Sequence, residues 1–270
     1  MPHDGNRVAI DWGGRSIEIE FAWVGVHKPK APIMVFLHEG IGSVALWKDF
    51  PAKLCELIGI RGLVYSRPGY GQSTSRSADE RWGVDFMHRQ GFEVLPAILA
   101  ALQIDQRQDT WLFGHSDGGS ISLLYASQFS DALAGVMVMA PHIFVEDISV
   151  VSIEQIRQVY LDTDLRDKLG RYHREPDSAF WGWNDVWLDP AFRHWNIEAE
   201  IQSIRCPVLA IQGIDDEYGT LAQIRGIAQR VARCELLELP ECGHSPHRDQ
   251  PEAVLAAVTR FMSTHGNVSA

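Results

Sequence analysis

The strongest constraint in this sequence is Gly114-His115-Ser116-Asp117-Gly118-Gly119, which joins two unlike stretches of chain. Before it, Thr110-Trp111-Leu112-Phe113 is an apolar run of strand length. After it, Ile121, Leu124, Tyr125 and Phe129 recur at helical spacing. A strand must therefore reverse into a helix within about one residue, as at a G-x-S-x-G elbow. Such a reversal predicts a strained backbone at Ser116, with its hydroxyl pushed clear of the sheet. Glycine is required at 114 and 118, where a Cβ would meet the neighbouring strand or helix.

A strand–turn–helix unit of this kind belongs in a parallel sheet, and the rest of the chain keeps that rhythm. Arg7–Trp12 and Ser16–Val24 alternate apolar and polar residues about Gly13-Gly14, which predicts an antiparallel hairpin at the sheet edge. Ile33–Leu37 reads as a strand buried on both faces, followed by the loop His38-Glu39-Gly40-Ile41-Gly42-Ser43. A helix is expected from Ala45 to Ile58, a strand at Leu63–Tyr65, and a helix from Phe86 to Leu102 kinked at Pro96. Gly135–Ala140 is another buried strand. The rhythm then lapses until Val208–Gln212, a helix near Leu221–Val231, a strand at Glu235–Leu239 and a last helix opened by Pro251. The expected organisation is an α/β core of residues 1–141 and 206–270, with a helical cap inserted at 142–205.

Hydrophobic residues make up 46% of the 270, enough to fill one large core. The net charge of −11 excludes nucleic acid and anionic membrane as partners, because phosphate binding needs a basic face; a small-molecule substrate is expected instead. Cys55, Cys206, Cys234 and Cys242 show no C-x-x-C spacing, so reduced thiols in a reducing compartment are expected. Met1 to Arg7 opens no apolar stretch, and no run of about 18 apolar residues follows. A cytoplasmic location is the corresponding expectation.

A serine hydroxyl is a weak nucleophile at neutral pH and requires a base, which in turn requires a group to hold its tautomer. Parallel strands ending at Gln212 and Leu239 would bring their following loops to the edge of the sheet that carries Ser116. Those loops hold Asp215-Asp216 and Cys242-Gly243-His244. The order Ser116, Asp216, His244 is the one expected for a fold with such an elbow. Asp216 is preferred to Asp215, which would cap the loop or the following helix. His247 gives His244 an H-x-x-H partner, but Pro246 between them and the missing helical acid argue against a metal. Neither a metal nor a cofactor is implied.

With Leu37-His38-Glu39-Gly40, Arg67-Pro68-Gly69-Tyr70-Gly71-Gln72-Ser73 and Gly213-Ile214-Asp215-Asp216 added, the chain resembles the α/β-hydrolase superfamily over nearly its whole length. The capped branch is the most similar, with its bacterial carboxylesterases, lactonases and meta-cleavage-product hydrolases. The resemblance implies oxyanion-hole amides at Gly40 and Asp117. The physical argument agrees for Asp117, which opens a helix whose first N–H groups lack internal partners. Three positions depart from the family pattern: Glu39 replaces a glycine, Asp117 stands where an uncharged residue is commoner, and Ser66 replaces an acid. Two carboxylates beside a developing oxyanion oppose it unless they are turned away or paired, and Arg67 is a candidate partner. The expected activity is hydrolysis of a small carboxylic ester, aryl esters included, through an acyl-enzyme. The alternatives are C–C hydrolysis of a meta-cleavage product, acyl-CoA thioester hydrolysis, or a ligand receptor that keeps the triad. Glu39, His142, Trp181, Trp183 and Trp187 are the substrate-binding candidates, and Trp181 should face away from Trp183 and Trp187 on a helix.

Overall fold

The computed structural model describes residues 6–28, 31–77, 79–104 and 109–266. The expectation about the N-terminus falls partly on Met1 to Gly5, outside the described residues. Among the described residues eight strands form one sheet: β1 (Asn6–Trp12), β2 (Arg15–Gly25), β3 (Ile33–Leu37), β4 (Arg61–Tyr65), β5 (Thr110–His115), β6 (Gly135–Met139), β7 (Val208–Gly213) and β8 (Cys234–Leu239). Their spatial order is β1-β2-β4-β3-β5-β6-β7-β8. β1 and β2 form the antiparallel hairpin, β2 runs antiparallel to β4, and all later pairings are parallel. The apolar runs read as buried strands, in β3, β5 and β6, are so, and every residue of β7 is buried as well. Register aligns Leu37 with Gly114 and His115 with Met139, so the loops after these strands open at one edge. That carboxyl edge is where ligands bind in open α/β sheets.

Among the described residues ten α-helices accompany the sheet: α1 (Phe50–Ile58), α2 (Phe86–Arg89), α3 (Leu95–Ala101), α4 (Asp117–Phe129), α5 (Asp147–Asp162), α6 (Leu165–Leu169), α7 (Pro176–Trp187), α8 (Ala222–Arg230), α9 (Pro246–Asp249) and α10 (Pro251–His265). Apolar side chains of α1 and α10 close one face of the sheet, and those of α2, α3, α4 and α8 close the other. α5, α6 and α7 fall between β6 and β7.

Two predicted helices differ from the structure. The one expected from Ala45 begins only at Phe50, because Lys48 turns left-handed (φ 55°) and ends a short 3₁₀ turn at Ala45–Trp47. The one expected from Phe86 to Leu102 is interrupted before Pro96, by a π-helical turn at Gln90–Val94. The turn lies where Gly91 crosses α4, close enough that a Cβ there would fall 3.2 Å from Ile121 O. Pro96 sits in the first turn of α3, where a missing N–H costs nothing. All four cysteines are free thiols. Among the described residues no helix is long and apolar enough to cross a membrane.

Candidate active site

Ser116 sits between β5 and α4 at φ 53°, ψ −120°, a conformation that L-residues rarely hold without surrounding constraint. The constraint is visible. A Cβ at residue 118 would fall 2.1 Å from Leu37 O, and one at 114 would fall 2.2 Å from Gly118 O, so the elbow closes only around glycines. Ser116 is 7% exposed.

His244 reaches this elbow from the loop after β8. Its Nε2 lies 2.9 Å from Ser116 Oγ and its Nδ1 2.8 Å from Asp216 Oδ1. Asp216 is itself held: Oδ1 accepts the Tyr218 and Gly219 amides at 2.8 and 3.3 Å, and Oδ2 accepts Gln212 Nε2 at 3.1 Å. A carboxylate so bonded keeps Nδ1 of His244 protonated and leaves Nε2 free to accept from the serine. Burial opposes a charge on His244, but Asp216, then Glu217 and Glu39, outweigh it and raise its pKa above the ordinary value. Burial likewise pushes the Asp216 pKa up, and His244 more than reverses this. Asp215 does not cap the loop or α8 as expected. Its side chain is exposed and makes no hydrogen bond among the described residues, because Asp216 itself closes the turn.

Several residues that hold His244 were not singled out from the sequence. Glu217 accepts the His244 amide at 3.1 Å, and His115 Nε2 donates to its carbonyl at 2.7 Å. Tyr218 packs against its ring with centroids 4.7 Å apart. From α5, Ser149 and Ser152 donate to the carbonyls of Tyr218 and Glu217 at 2.5 and 2.6 Å, tying the segment between β6 and β7 to the acid loop. The signal for Glu217 was adjacency to Asp216; for the serines there was none.

The three departures from the family pattern each have a partner. Glu20, on β2, supplies the carboxylate missing at 66: its Oε2 accepts Ser66 Oγ at 2.6 Å and the Gln72 amide at 2.8 Å. Glu39 extends towards His115, with Oε2 3.8 Å from Nδ1. Burial disfavours its charge, but His115, His38 and Arg248 hold its pKa far below the carboxylate range. Asp117 is fully buried. Its Oδ1 accepts Trp187 Nε1 at 3.1 Å and its Oδ2 faces Arg67 Nη1 at 3.7 Å. Burial raises its pKa, with Arg67 and Trp187 opposing. Arg67 is thus the expected cation for Asp117, but it meets Glu39 only through the main-chain carbonyl, 2.7 Å from Nη2.

Of the substrate-binding candidates, Trp183 and Trp187 stand over the elbow. A Cβ at Gly40 would fall 2.2 Å from Trp183 Nε1, so the indole occupies space that only glycine leaves. Trp187 packs edge-on against His142 at 4.9 Å, and the His142 ring lies 6.0 Å from that of His244. Burial, then His244, lowers the His142 pKa to about 3. Trp181, as its helical phase requires, points elsewhere: it packs edge-on against Tyr160 and Phe180 and borders a surface cleft with Arg76, Asp177 and Asp185. Trp195 stacks on Phe192.

Comparison with known proteins agrees with this architecture. The sequence is similar over 87–88% of its length to 2-succinyl-6-hydroxy-2,4-cyclohexadiene-1-carboxylate synthases. One from Yersinia pseudotuberculosis is 29% identical over 264 residues and covered to 89%; one from Enterobacter sp. (strain 638) is 23% identical over 268 residues and covered to 93%. The fold is similar to that of proline iminopeptidase from Mycobacterium smegmatis (TM-score 0.74, 16% identity, 96% of this chain and 98% of that one). It is also similar to the enol-lactonase of Burkholderia xenovorans LB400 (TM-score 0.71, 18% identity, 96% and 100%). Residues 34–257 match the model of the alpha/beta hydrolase family, and with most of the chain so matched it belongs to that family.

Proposed function

We propose that this protein is a serine hydrolase that cleaves a small carboxylic ester through an acyl-enzyme. The observation that carries the proposal is the continuous pair of contacts from Ser116 Oγ to His244 Nε2, 2.9 Å, and from His244 Nδ1 to Asp216, 2.8 Å, at a serine in a left-handed elbow. Ser116 Oγ attacks the acyl carbon as His244 takes its proton, and Asp216 stabilises the imidazolium. The amides of Gly40 and Asp117 receive the developing oxyanion. His244 then returns the proton to the leaving alkoxide, the C–O bond breaks, and water enters by the same steps in reverse. No step calls for a cofactor or metal. Residues 142–205 serve as a cap whose Trp183 and Trp187, with His142, wall the substrate space. The substrate is a small molecule, neither nucleic acid nor membrane lipid, and a cytoplasmic location fits the free thiols.

The relatives' names end in a carboxylate product, which would favour a site with free cationic side chains. The buried cation beside Ser116 is Arg67, and it faces Asp117. Fully buried and bound to the Glu39 carbonyl, Arg67 is not open to a substrate carboxylate, which favours an uncharged ester over an anionic substrate. The test is fluorophosphonate labelling together with a panel of aryl, alkyl, lactone and thioester substrates, run beside Ser116→Ala. Labelling and aryl-ester turnover, both lost in Ser116→Ala, are expected. Labelling without turnover would favour a ligand receptor, and turnover that survives Ser116→Ala would refute the proposal.

A further inference from the structure

Arg67 is fully buried, yet it makes no close ion pair. Its nearest carboxylate oxygen, Asp117 Oδ2, stands 3.7 Å from Nη1, beyond the 2.7–2.9 Å of a charge-assisted hydrogen bond. Nη1, Nε and Asp117 Oδ2 all lack a hydrogen-bond partner. The short bond of the guanidinium goes to a neutral acceptor, the carbonyl of Glu39, 2.7 Å from Nη2. A residue present only to neutralise Asp117 would spend its donors on that carboxylate.

The acceptor explains the choice. Glu39 C=O belongs to the peptide group whose N–H is that of Gly40. In a trans peptide the two point in opposite directions, so gripping the oxygen from behind fixes where the hydrogen aims. Two further donors act on the same oxygen: His38 Nδ1 at 2.7 Å and the Gly42 amide at 3.1 Å. The tautomer follows from the other nitrogen, because His38 Nε2 accepts the backbone amide of Arg67 at 3.0 Å. Burial lowers the His38 pKa well below its ordinary value and keeps it in this neutral form. Arg67 thus binds Glu39 O directly and again through His38, while its other nitrogen faces the side chain of Asp117, whose backbone carries the second amide.

We infer that Arg67 is a positioning residue of the oxyanion hole: it orients and polarises the Glu39–Gly40 amide and ties the loop that carries it to Asp117. The inference rests on the serine-hydrolase reading above and deepens it. A hydrogen bond from a cation draws electron density towards the carbonyl and makes the amide on the far side a stronger donor. That gain matters only once negative charge develops on the acyl oxygen, so it belongs to the transition state and should appear in kcat rather than KM.

Glu39-Gly40 is the sole Glu-Gly pair in the sequence, so a protein labelled with ¹³C′-Glu and ¹⁵N-Gly gives a single peptide cross-peak for this bond. The variant to compare is Arg67→Met with Asp117→Asn, which removes both charges and leaves no unpaired buried ion. Its kcat on a short aryl ester should fall about 100-fold, the scale of losing one oxyanion donor, with KM held within about threefold. The Glu39 ¹³C′ resonance should move upfield as the bond from Arg67 is lost, those from His38 and Gly42 remaining. Arg67→Lys, which restores a charge and a donor, should recover about tenfold of the kcat; it also carries the comparison if the double variant folds poorly. A folded variant with wild-type kcat, or one whose kcat falls while the carbonyl resonance stays in place, overturns the inference while the wild type continues to hydrolyse the ester. A wild type that neither labels nor turns over overturns the hydrolase reading and this inference with it.

Discussion

Acidification should destabilise this protein well above the range in which its carboxylates titrate, because four histidines are buried in neutral form. Burial is the largest cause at each: it lowers His38 well below its ordinary value, His142 to about 3, His173 to about 4 and His247 to about 2. Each is at most 5% exposed. The unfolded chain, with histidines near 6.5, binds protons that the folded chain refuses, so stability falls as pH falls. Between pH 7 and 5.5 each such histidine costs about 1 kcal/mol, and the four together about 4–5 kcal/mol. That is a large share of the about 5–15 kcal/mol that holds a typical domain. His244 offsets it only in part, through the stabilisation it gains as pH falls from 7 to its unfolded value. Its raised folded-state value gives a stabilisation already complete below the unfolded value, and lost only as pH rises through the folded one. Glu39 and Asp216, held low, lose their contributions only as pH falls towards and through the carboxylate range, below this window. Urea unfolding at pH 7.0, 6.5, 6.0 and 5.5 measures the slope, and His247→Gln should remove about a quarter of it. Stabilities at pH 7 and 5.5 that agree within about 1 kcal/mol would refute the reasoning.

Ser116→Ala and His244→Ala should each abolish most ester turnover, and the double variant should lose little more, because the residues act as one unit. Asp216→Asn should lower kcat by roughly 10⁴ while Asp215→Asn leaves it near wild type; the reverse would reassign the acid. Activity should rise with pH to a midpoint above about 6.5, since His244 must be neutral to accept the serine proton and its pKa is raised. Glu39→Gln removes one of the charges that raise it and should shift that midpoint to lower pH; an unmoved midpoint would limit Glu39 to bracing His115. Aryl esters should exceed alkyl esters of equal size by up to roughly tenfold in kcat/KM, an advantage that Trp183→Leu narrows and Trp181→Leu leaves intact. An aryl preference unaffected by Trp183→Leu would remove that indole from the substrate space.

The parts of this architecture legible in the sequence are those written in short-range pattern. β3, β5, β6 and β7 are unbroken apolar runs because both of their faces are covered, and Gly114 and Gly118 mark the elbow because backbone from other elements crosses within a Cβ radius. The boundaries that went astray were decided by contacts that a local reading omits. The turn at Gln90–Val94 answers to α4 crossing at Gly91, and α5 reaches the acid loop through serine hydroxyls that no periodicity marks. The electrostatics around Ser116 needed the fold most of all. Glu39, Asp117 and Ser66 read in sequence as separate anomalies, two of them hostile to an oxyanion. In space they resolve into three compensations: Glu20 supplies the acid that Ser66 lacks, Glu39 faces His115, and Asp117 lies between Trp187 and Arg67. Spacing along a chain reveals which loops reach the same edge of a sheet. It does not reveal which way a guanidinium turns when it gets there, and here that turn, towards the carbonyl of Glu39 and away from the nearest carboxylate, separates an inert ion pair from a group that sets the direction of an amide.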